Sequence, residues 1–383
     1  MVLPILINRV ITVGVLLVGL EILPVWATGI NAGGRPAMTS LPFHVEEIAS
    51  FDRPWAIAFL PDGRLILTEK AGKIFLVTQE GVKKEVMGVP KVAFGGQNGL
   101  LDIAPAPDFQ SSHGIYLTYN EPAQTGSRLV LARGELKEDK ATARLQDLAT
   151  LWRQDVSARG GQPGGIMAFA PDGRHLFLTV GDRMLPEKAQ DRDAPMGKIL
   201  RMKLDGTVPQ DNPFAHEKGV RALTYSLGHR NPYGLAFSAD GRLWEHEMGP
   251  RGGDEFNLIR PGLNYGWPVV SNGDQYGGAK IPRHATRPEF EPPPLYWNPV
   301  IAPAGLVFYE AELFSNWKGS ALIGGLASMA LVRVAIDAHG RADEVERFDM
   351  GNRIRDVAVG PDGAVWLIED DSPGRLVKLT PRS

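Results

Sequence analysis

Pro54-Trp55-Ala56-Ile57-Ala58-Phe59-Leu60-Pro61-Asp62-Gly63 runs on into Arg64-Leu65-Ile66-Leu67-Thr68, and a third apolar run follows at Lys73-Ile74-Phe75-Leu76-Val77. Proline presets the first turn dihedral, aspartate bonds its own backbone, and glycine takes the positive φ that other residues resist. The first two runs therefore fold as a hairpin, and the third extends it into a meander. The phrase returns along the chain. Gly99-Leu100-Leu101-Asp102-Ile103 leads through Pro107-Asp108-Phe109 to Gly114-Ile115-Tyr116-Leu117-Thr118, and Gly164 leads through Pro171-Asp172-Gly173 to Leu176-Phe177-Leu178-Thr179. Gly234-Leu235-Ala236-Phe237 precedes Ala239-Asp240-Gly241, and Gly305-Leu306-Val307-Phe308 precedes Leu322-Ile323-Gly324. The last copy joins Asp356-Val357-Ala358-Val359 and Pro361-Asp362-Gly363 to Val365-Trp366-Leu367.

One meander cannot bury both of its faces, whereas sheets packed radially can, leaving only short protected edges. Six copies predict an all-β six-bladed β-propeller of four-stranded antiparallel blades, with two successive β-sandwiches as the alternative. Phe43 to Ile48, apolar at 43, 45 and 48, lies ahead of the first copy and is expected to pair with the last blade and close the ring. The long stretches near 120–160 and 260–300 read as loops and extra hairpins, the usual carriers of function.

Composition agrees. Among 383 residues there are 44 glycines and 30 prolines, and 22% are charged, which suits short strands and tight turns better than solvated helices. A net charge of −3 directs the chain neither to nucleic acid nor to an anionic membrane. The absence of cysteine excludes a disulfide framework, a thiolate nucleophile and a cysteine-ligated zinc. Arg9 precedes the apolar run Val10 to Leu20 and a small-residue exit at Val25-Trp26-Ala27, the layout of a secretory signal. Residues 1–27 are thus expected to direct export to the periplasm, or to stay as an N-terminal anchor if uncleaved. Residues 28–42 read as a linker and 43–383 as one propeller domain.

Between the repeats lie longer phrases: Gly95-Gly96-Gln97-Asn98-Gly99-Leu100-Leu101-Asp102, Gly197-Lys198-Ile199-Leu200-Arg201 with Asp205-Gly206, and Gly228-His229-Arg230-Asn231-Pro232. Further on come Glu247-Met248-Gly249-Pro250-Arg251-Gly252-Gly253-Asp254-Glu255, Asn264-Tyr265-Gly266-Trp267-Pro268 and Arg353-Ile354-Arg355-Asp356. In this order, over about residues 50 to 380, they resemble the soluble PQQ-dependent sugar dehydrogenases, the glucose/sorbosone and aldose enzymes. The resemblance implies a six-bladed propeller holding pyrroloquinoline quinone (PQQ) and Ca²⁺ at one end of its axis. It also implies oxidation of an aldose at the anomeric carbon to a lactone, with electrons passed to an external acceptor that the sequence does not identify.

Carried over residue by residue, the resemblance gives Gln97, Arg230, Asn231, Arg353 and Arg355 as cofactor contacts. PQQ carries three carboxylates, which guanidinium groups bind bidentately, and an i, i+2 pair of arginines on one strand face suits that task. Gly249 and Pro250 match the backbone carbonyls that hold the catalytic calcium, and Glu255 and Tyr265 match a second, structural calcium site. Oxygen ligands of this kind suit Ca²⁺. Gln190, Asp191 and Trp297 lie on loops that the resemblance brings near the sugar, Trp297 as a stacking surface or a loop anchor.

The chain departs from the pattern at the catalytic base. Gly160-Gly161-Gln162-Pro163-Gly164-Gly165-Ile166 places Gln162 where the family has histidine, and Ile166 where an arginine often follows. A glutamine amide orients a hydroxyl but cannot accept its proton near neutrality, and losing a general base costs about 10² to 10⁴ in rate. Ala327 stands for a cofactor-side lysine and Val300 for a hydroxyl residue. His229 is read as a structural histidine, with Asp191 the other candidate for a substitute base, and Glu245-His246-Glu247 as a solvated strand face. The expectation is a PQQ-dependent dehydrogenase slowed at Gln162, with a non-catalytic propeller that binds PQQ or sugar, a sensor or scaffold, as the alternative.

Overall fold

The computed structural model describes residues 29–382, so the expected export signal at 1–27 lies outside the described residues. Six strands of six residues each begin the repeats: Pro54–Phe59, Leu100–Pro105, Gly164–Phe169, Pro232–Phe237, Pro303–Phe308 and Ile354–Val359. Each packs against the next, and Ile354–Val359 packs against Pro54–Phe59, so the six close around an axial cavity of about 310 Å³. The turns form as their residues dictate. At Pro61-Asp62-Gly63, Gly63 has φ 86°, and Asp62 Oδ1 accepts the Arg64 N–H at 3.0 Å. The Pro107-Asp108-Phe109 copy lacks the glycine and instead opens the short helix Phe109–Ser112.

The all-β class is as expected, with strands gathered into five sheets. Three sheets have four strands, including the one in which N-terminal strand Phe43–Phe51 pairs antiparallel with C-terminal strand Gly374–Pro381. The other two depart from the expected four-stranded pattern. Outer strands Lys83–Met87 and Ala143–Arg153 pair in parallel at Ala143↔Val86 and Arg144↔Met87, fusing two meanders into an eight-stranded sheet. Ile30–Asn31, from the stretch expected to be linker, adds a fifth, parallel strand beside Leu295–Trp297. Both additions satisfy backbone groups that an open sheet edge would leave unpaired.

Each inner strand carries a register shift near its start, which turns a backbone N–H or carbonyl away from its own sheet. Buried polar side chains take up these groups and stitch neighbouring sheets. Thr68 accepts from Ala56 N (3.1 Å) and donates to Leu101 O (2.8 Å), and Thr118 accepts from Asp102 N (3.1 Å) and donates to Gly165 O (2.5 Å). Thr179 repeats the pattern with Ile166 N at 2.9 Å and Pro232 O at 3.1 Å. The next equivalent position is His246, whose Nε2 meets Gly305 O at 2.9 Å. A Cβ on Gly234 would lie 2.1 Å from that Nε2, so the imidazole needs glycine opposite it. Glu245, His246 and Glu247 are all buried, which corrects the solvated-face reading: the strand is walled by sheets on both sides. Burial lowers the His246 pKa to about 4, and the ring is neutral.

Candidate active site

The predicted site residues fall just ahead of, or at the start of, the inner strands, so the closed ring gathers them at one end of its axis. Gln97 precedes Leu100–Pro105, Gln162 precedes Gly164–Phe169, Arg230 and Asn231 precede Pro232–Phe237, and Arg353 and Arg355 flank Ile354.

On one side, Arg353 and Arg355 both bond Asp370, at 2.7 Å and 2.9 Å. Burial works to raise the Asp370 carboxyl, but Arg355 and Arg353 overcome it and hold its pKa below the ordinary value. Arg355 is buried and lies 4.3 Å over the Trp55 ring, whereas Arg353 is half exposed. Two guanidinium groups thus share one carboxylate and retain net positive charge, fitting an anionic ligand.

Arg230 is buried and donates from Nη1 to Met248 O (2.8 Å) and Gly249 O (3.0 Å) and from Nη2 to the Tyr276 hydroxyl (3.3 Å). Its guanidinium lies 5.2 Å over the Trp267 ring, and its Nε has no partner. Asn231 is buried, its Oδ1 accepting from Gly164 N at 3.4 Å.

Across the ring, Gln97 Oε1 accepts the Gln162 N–H at 2.6 Å. A Cβ on Gly161 would sit 2.4 Å from that oxygen, so glycine clears the approach. Gln162 is buried with φ 53°. In the orientation its hydrogen-bond network sets, its amide donates to Asp182 Oδ1 and accepts from Arg230 Nη2 at 2.7 Å. Asp182 was not singled out from the sequence; its phrase Val180-Gly181-Asp182 reads as an ordinary strand end. It is buried, accepts from Met184 N (2.8 Å) and Trp267 Nε1 (2.9 Å), and desolvation pushes its pKa up to about 6.

Gly249 and Pro250 follow the strand Leu243–Glu247, and the Gly249 N–H donates to Asp254 Oδ1 at 2.8 Å. Glu247, Gly249, Glu255, Tyr265 and Ser271 border a void of about 10 Å³. Beside it, Glu245, Glu247 and His229 bring three ligand atoms within 4.8 Å of one another, all buried. Glu245 Oε1 and His229 Nδ1 are unpartnered, and burial raises the Glu245 and Glu255 carboxyls, each reinforced by neighbouring carboxylates. So dense a set of buried carboxylates fits a divalent cation, which would offset their desolvation. His229 also stacks on Tyr265 at 4.8 Å and bonds Ser226 Oγ at 2.9 Å, tied into the fold as the sequence reading held.

The sugar-side calls fare differently. Trp297 is fully buried against Trp244 and Phe256, with Nε1 donating to Glu344 at 2.6 Å; it anchors a sheet and cannot stack on a sugar. Gln190 commits its amide to Asn264 (2.8 and 3.1 Å) and Trp267 O (2.7 Å), fixing one loop to another. Asp191 pairs with Lys188 at 2.9 Å, which lowers its pKa and makes it a poor base. Buried Lys198, to which the sequence assigned no role, donates to the carbonyls of Lys188, Ala189 and Met196 at 2.8–3.1 Å and pins the same loop.

Known proteins share this arrangement. The family model for glucose/sorbosone dehydrogenase matches residues 51–378. The chain is 37% identical to aldose sugar dehydrogenase YliI of Escherichia coli, over 87% of this chain and 91% of that protein. It is 31% identical to quinoprotein glucose dehydrogenase B of Acinetobacter calcoaceticus, over 86% of each. The PQQ-bound aldose sugar dehydrogenase of Streptomyces coelicolor superposes with a TM-score of 0.72 at 29% identity, over 90% of this chain and 100% of that one. With its motifs in family order and the closed ring that gathers them, the chain belongs to the glucose/sorbosone dehydrogenase family.

Proposed function

We propose that this chain is a six-bladed propeller that binds PQQ and Ca²⁺ and oxidises an aldose at its anomeric carbon to a lactone, slowly because Gln162 stands in place of a general base. The observation that carries the reading is the excess of guanidinium at the end of the axis: Arg353 and Arg355 over one carboxylate, with buried Arg230 ahead of another inner strand at the same end. The six inner strands support the blade count, the eight-stranded sheet being two blades joined at their outer strands. The three four-stranded sheets and the closing pairing of Phe43–Phe51 with Gly374–Pro381 fit the same count.

Arg230, Arg353 and Arg355 would hold the carboxylates of the cofactor, with Gln97 and Asn231 beside it. The carbonyls of Gly249 and Pro250 would face the catalytic calcium, and Glu255 and Tyr265 a second ion in the carboxylate cluster. Bound PQQ supplies a two-electron quinone acceptor and Ca²⁺ a Lewis acid. The protein must fix the sugar and take the hydroxyl proton. Gln162, held by Asp182 and Arg230, can orient the anomeric hydroxyl through its amide but cannot hold the proton. The apolar run ahead of Ala27 supports export to the periplasm, and among the described residues no helix is long and apolar enough to cross a membrane.

The deciding experiment titrates PQQ into the protein with and without Ca²⁺, then follows dye-linked aldose oxidation. Calcium-dependent binding with weak turnover is expected, and Gln162→His should raise kcat at least about tenfold. Calcium-independent indifference to PQQ would sink the cofactor reading. PQQ binding with no turnover in either protein would favour the second reading, a sensor or scaffold, to which the bonding of the Gln162 amide to Asp182 and Arg230 lends support.

A further inference from the structure

We propose that Lys70 is a further cofactor-binding residue, supplying the positive charge that the family pattern places at 327 and this chain lacks there. The inference rests on the PQQ reading and extends it to a residue outside every motif that carries the resemblance. Lys70 follows the strand Leu65–Glu69, whose last residue pairs with Pro54 at the start of an inner strand, and so lies at the same end of the axis as the arginines. Its Nζ donates to Gly96 O, in the turn that carries Gln97, and lies 5.4 Å over the Trp55 ring, against which Arg355 also stacks at 4.3 Å. One indole therefore carries a cation on each of two approaches.

Among the described residues Lys70 forms no salt bridge, and Asp370, the acid whose charge acts on it, is already paired with Arg353 and Arg355. Burial lowers the Lys70 pKa, and Arg355, Arg53 and Arg353 push the same way against the opposing pull of Asp370. A half-buried ammonium held beside other cations, with no acid of its own, is electrostatically costly unless an anion completes the group. A tricarboxylate seated on Arg353 and Arg355 would do so.

The position of the missing lysine fits this account. Leu326, next to Ala327, accepts from Arg353 Nη1 at 3.4 Å, so position 327 flanks the arginine pair on the Arg353 side. Ala327 is exposed, its N–H bound to Ile301 O at 2.9 Å, and offers no charge. Lys70 flanks the pair on the Arg355 side. The cation is thus relocated across the arginine pair and keeps the charge count of the cradle.

The test is equilibrium PQQ binding in saturating Ca²⁺, read by quenching of tryptophan fluorescence over a range of salt concentrations. Lys70→Met should raise Kd about tenfold or more and flatten the salt dependence of log Kd, because a charge-assisted contact worth about 1.5–3 kcal/mol is lost. Lys70→Arg should retain both the affinity, within about threefold, and the slope, because it keeps the charge. If Lys70 only props the Gly95–Asn98 turn, Lys70→Met will weaken binding with the salt slope unchanged, and the proposal falls. An unchanged Kd in Lys70→Met also overturns it while leaving the cofactor reading intact. Failure of the unaltered protein to bind PQQ overturns that reading and this inference together.

Discussion

Where Arg353 and Arg355 share Asp370, cation exceeds anion; three inner strands around the ring, Gln162 lies between one carboxylate, Asp182, and one guanidinium, Arg230, and its amide is bonded at both nitrogen and oxygen. The first side is incomplete without an anion, whereas on the second the Gln162 amide already has partners in Asp182 and Arg230. A site that must receive a polyanion keeps unspent positive charge, while a site that must accept a proton needs a free base, and Gln162 fills that place with a satisfied amide. On the proposed function, PQQ affinity depends mainly on the Arg353 and Arg355 side and the proton step on the Gln162 side, with Arg230 shared between them.

The largest effect is expected on the arginine side. Arg355→Ala removes a buried guanidinium and half of the compensation of Asp370, so PQQ affinity should fall at least about a hundredfold and urea unfolding should show a loss of about 2–4 kcal/mol. An Arg355→Ala protein that binds PQQ normally would erase the distinction between the two sides. Gln162→His comes next. Its gain in kcat should leave the PQQ Kd within about threefold, and a parallel change in both would show that the sides are coupled.

Asp182 gives a smaller effect with a defined sign. Its pKa is raised to about 6 from an ordinary 3.8, so between those values the folded protein holds a proton that the unfolded chain has released. That stabilisation is present at low pH and is lost as pH rises through about 6. In Asp182→Asn the slope of stability against pH over this window should be shallower, by about 3 kcal/mol at most across it. Urea midpoints measured at several pH values check this, and parallel profiles would place the Asp182 titration elsewhere. The smallest effect is expected outside both sides: Trp297→Phe should cost about 1 kcal/mol through its bond to Glu344 and leave the aldose KM unchanged. A raised KM would return Trp297 to the substrate site.

Much of the site was legible because its residues travel in short phrases ahead of strands. Gly228-His229-Arg230-Asn231-Pro232 and Arg353-Ile354-Arg355-Asp356 place their side chains by local geometry, and any closed ring of these repeats must bring them to one end. For Trp297 the sequence left a stacking surface and a loop anchor both open, and the contacts that make it an anchor and tie Gln190 down involve Glu344 and Asn264, 47 and 74 residues away, which no local pattern announces. Asp182 and Lys70 escape a sequence reading for the same reason: each is an ordinary residue just past a strand end and acquires its role from residues distant in the chain, Arg230 and Trp267 for Asp182 and Gly96 and Arg355 for Lys70.

The sequence by itself determined the repeat, the turns and the order of the motifs, since each depends on the dihedral preferences and side-chain alternation of a few adjacent residues. It also determined that position 162 cannot hold a proton. Only the tertiary structure decided which charges are balanced. It buried Glu245, His246 and Glu247, which the alternating pattern left on a solvated face, and it set Lys70 beside Arg355 and gave Asp182 to Gln162. Burial and Coulomb interactions depend on distances between sheets, and those distances exist only once the ring has closed.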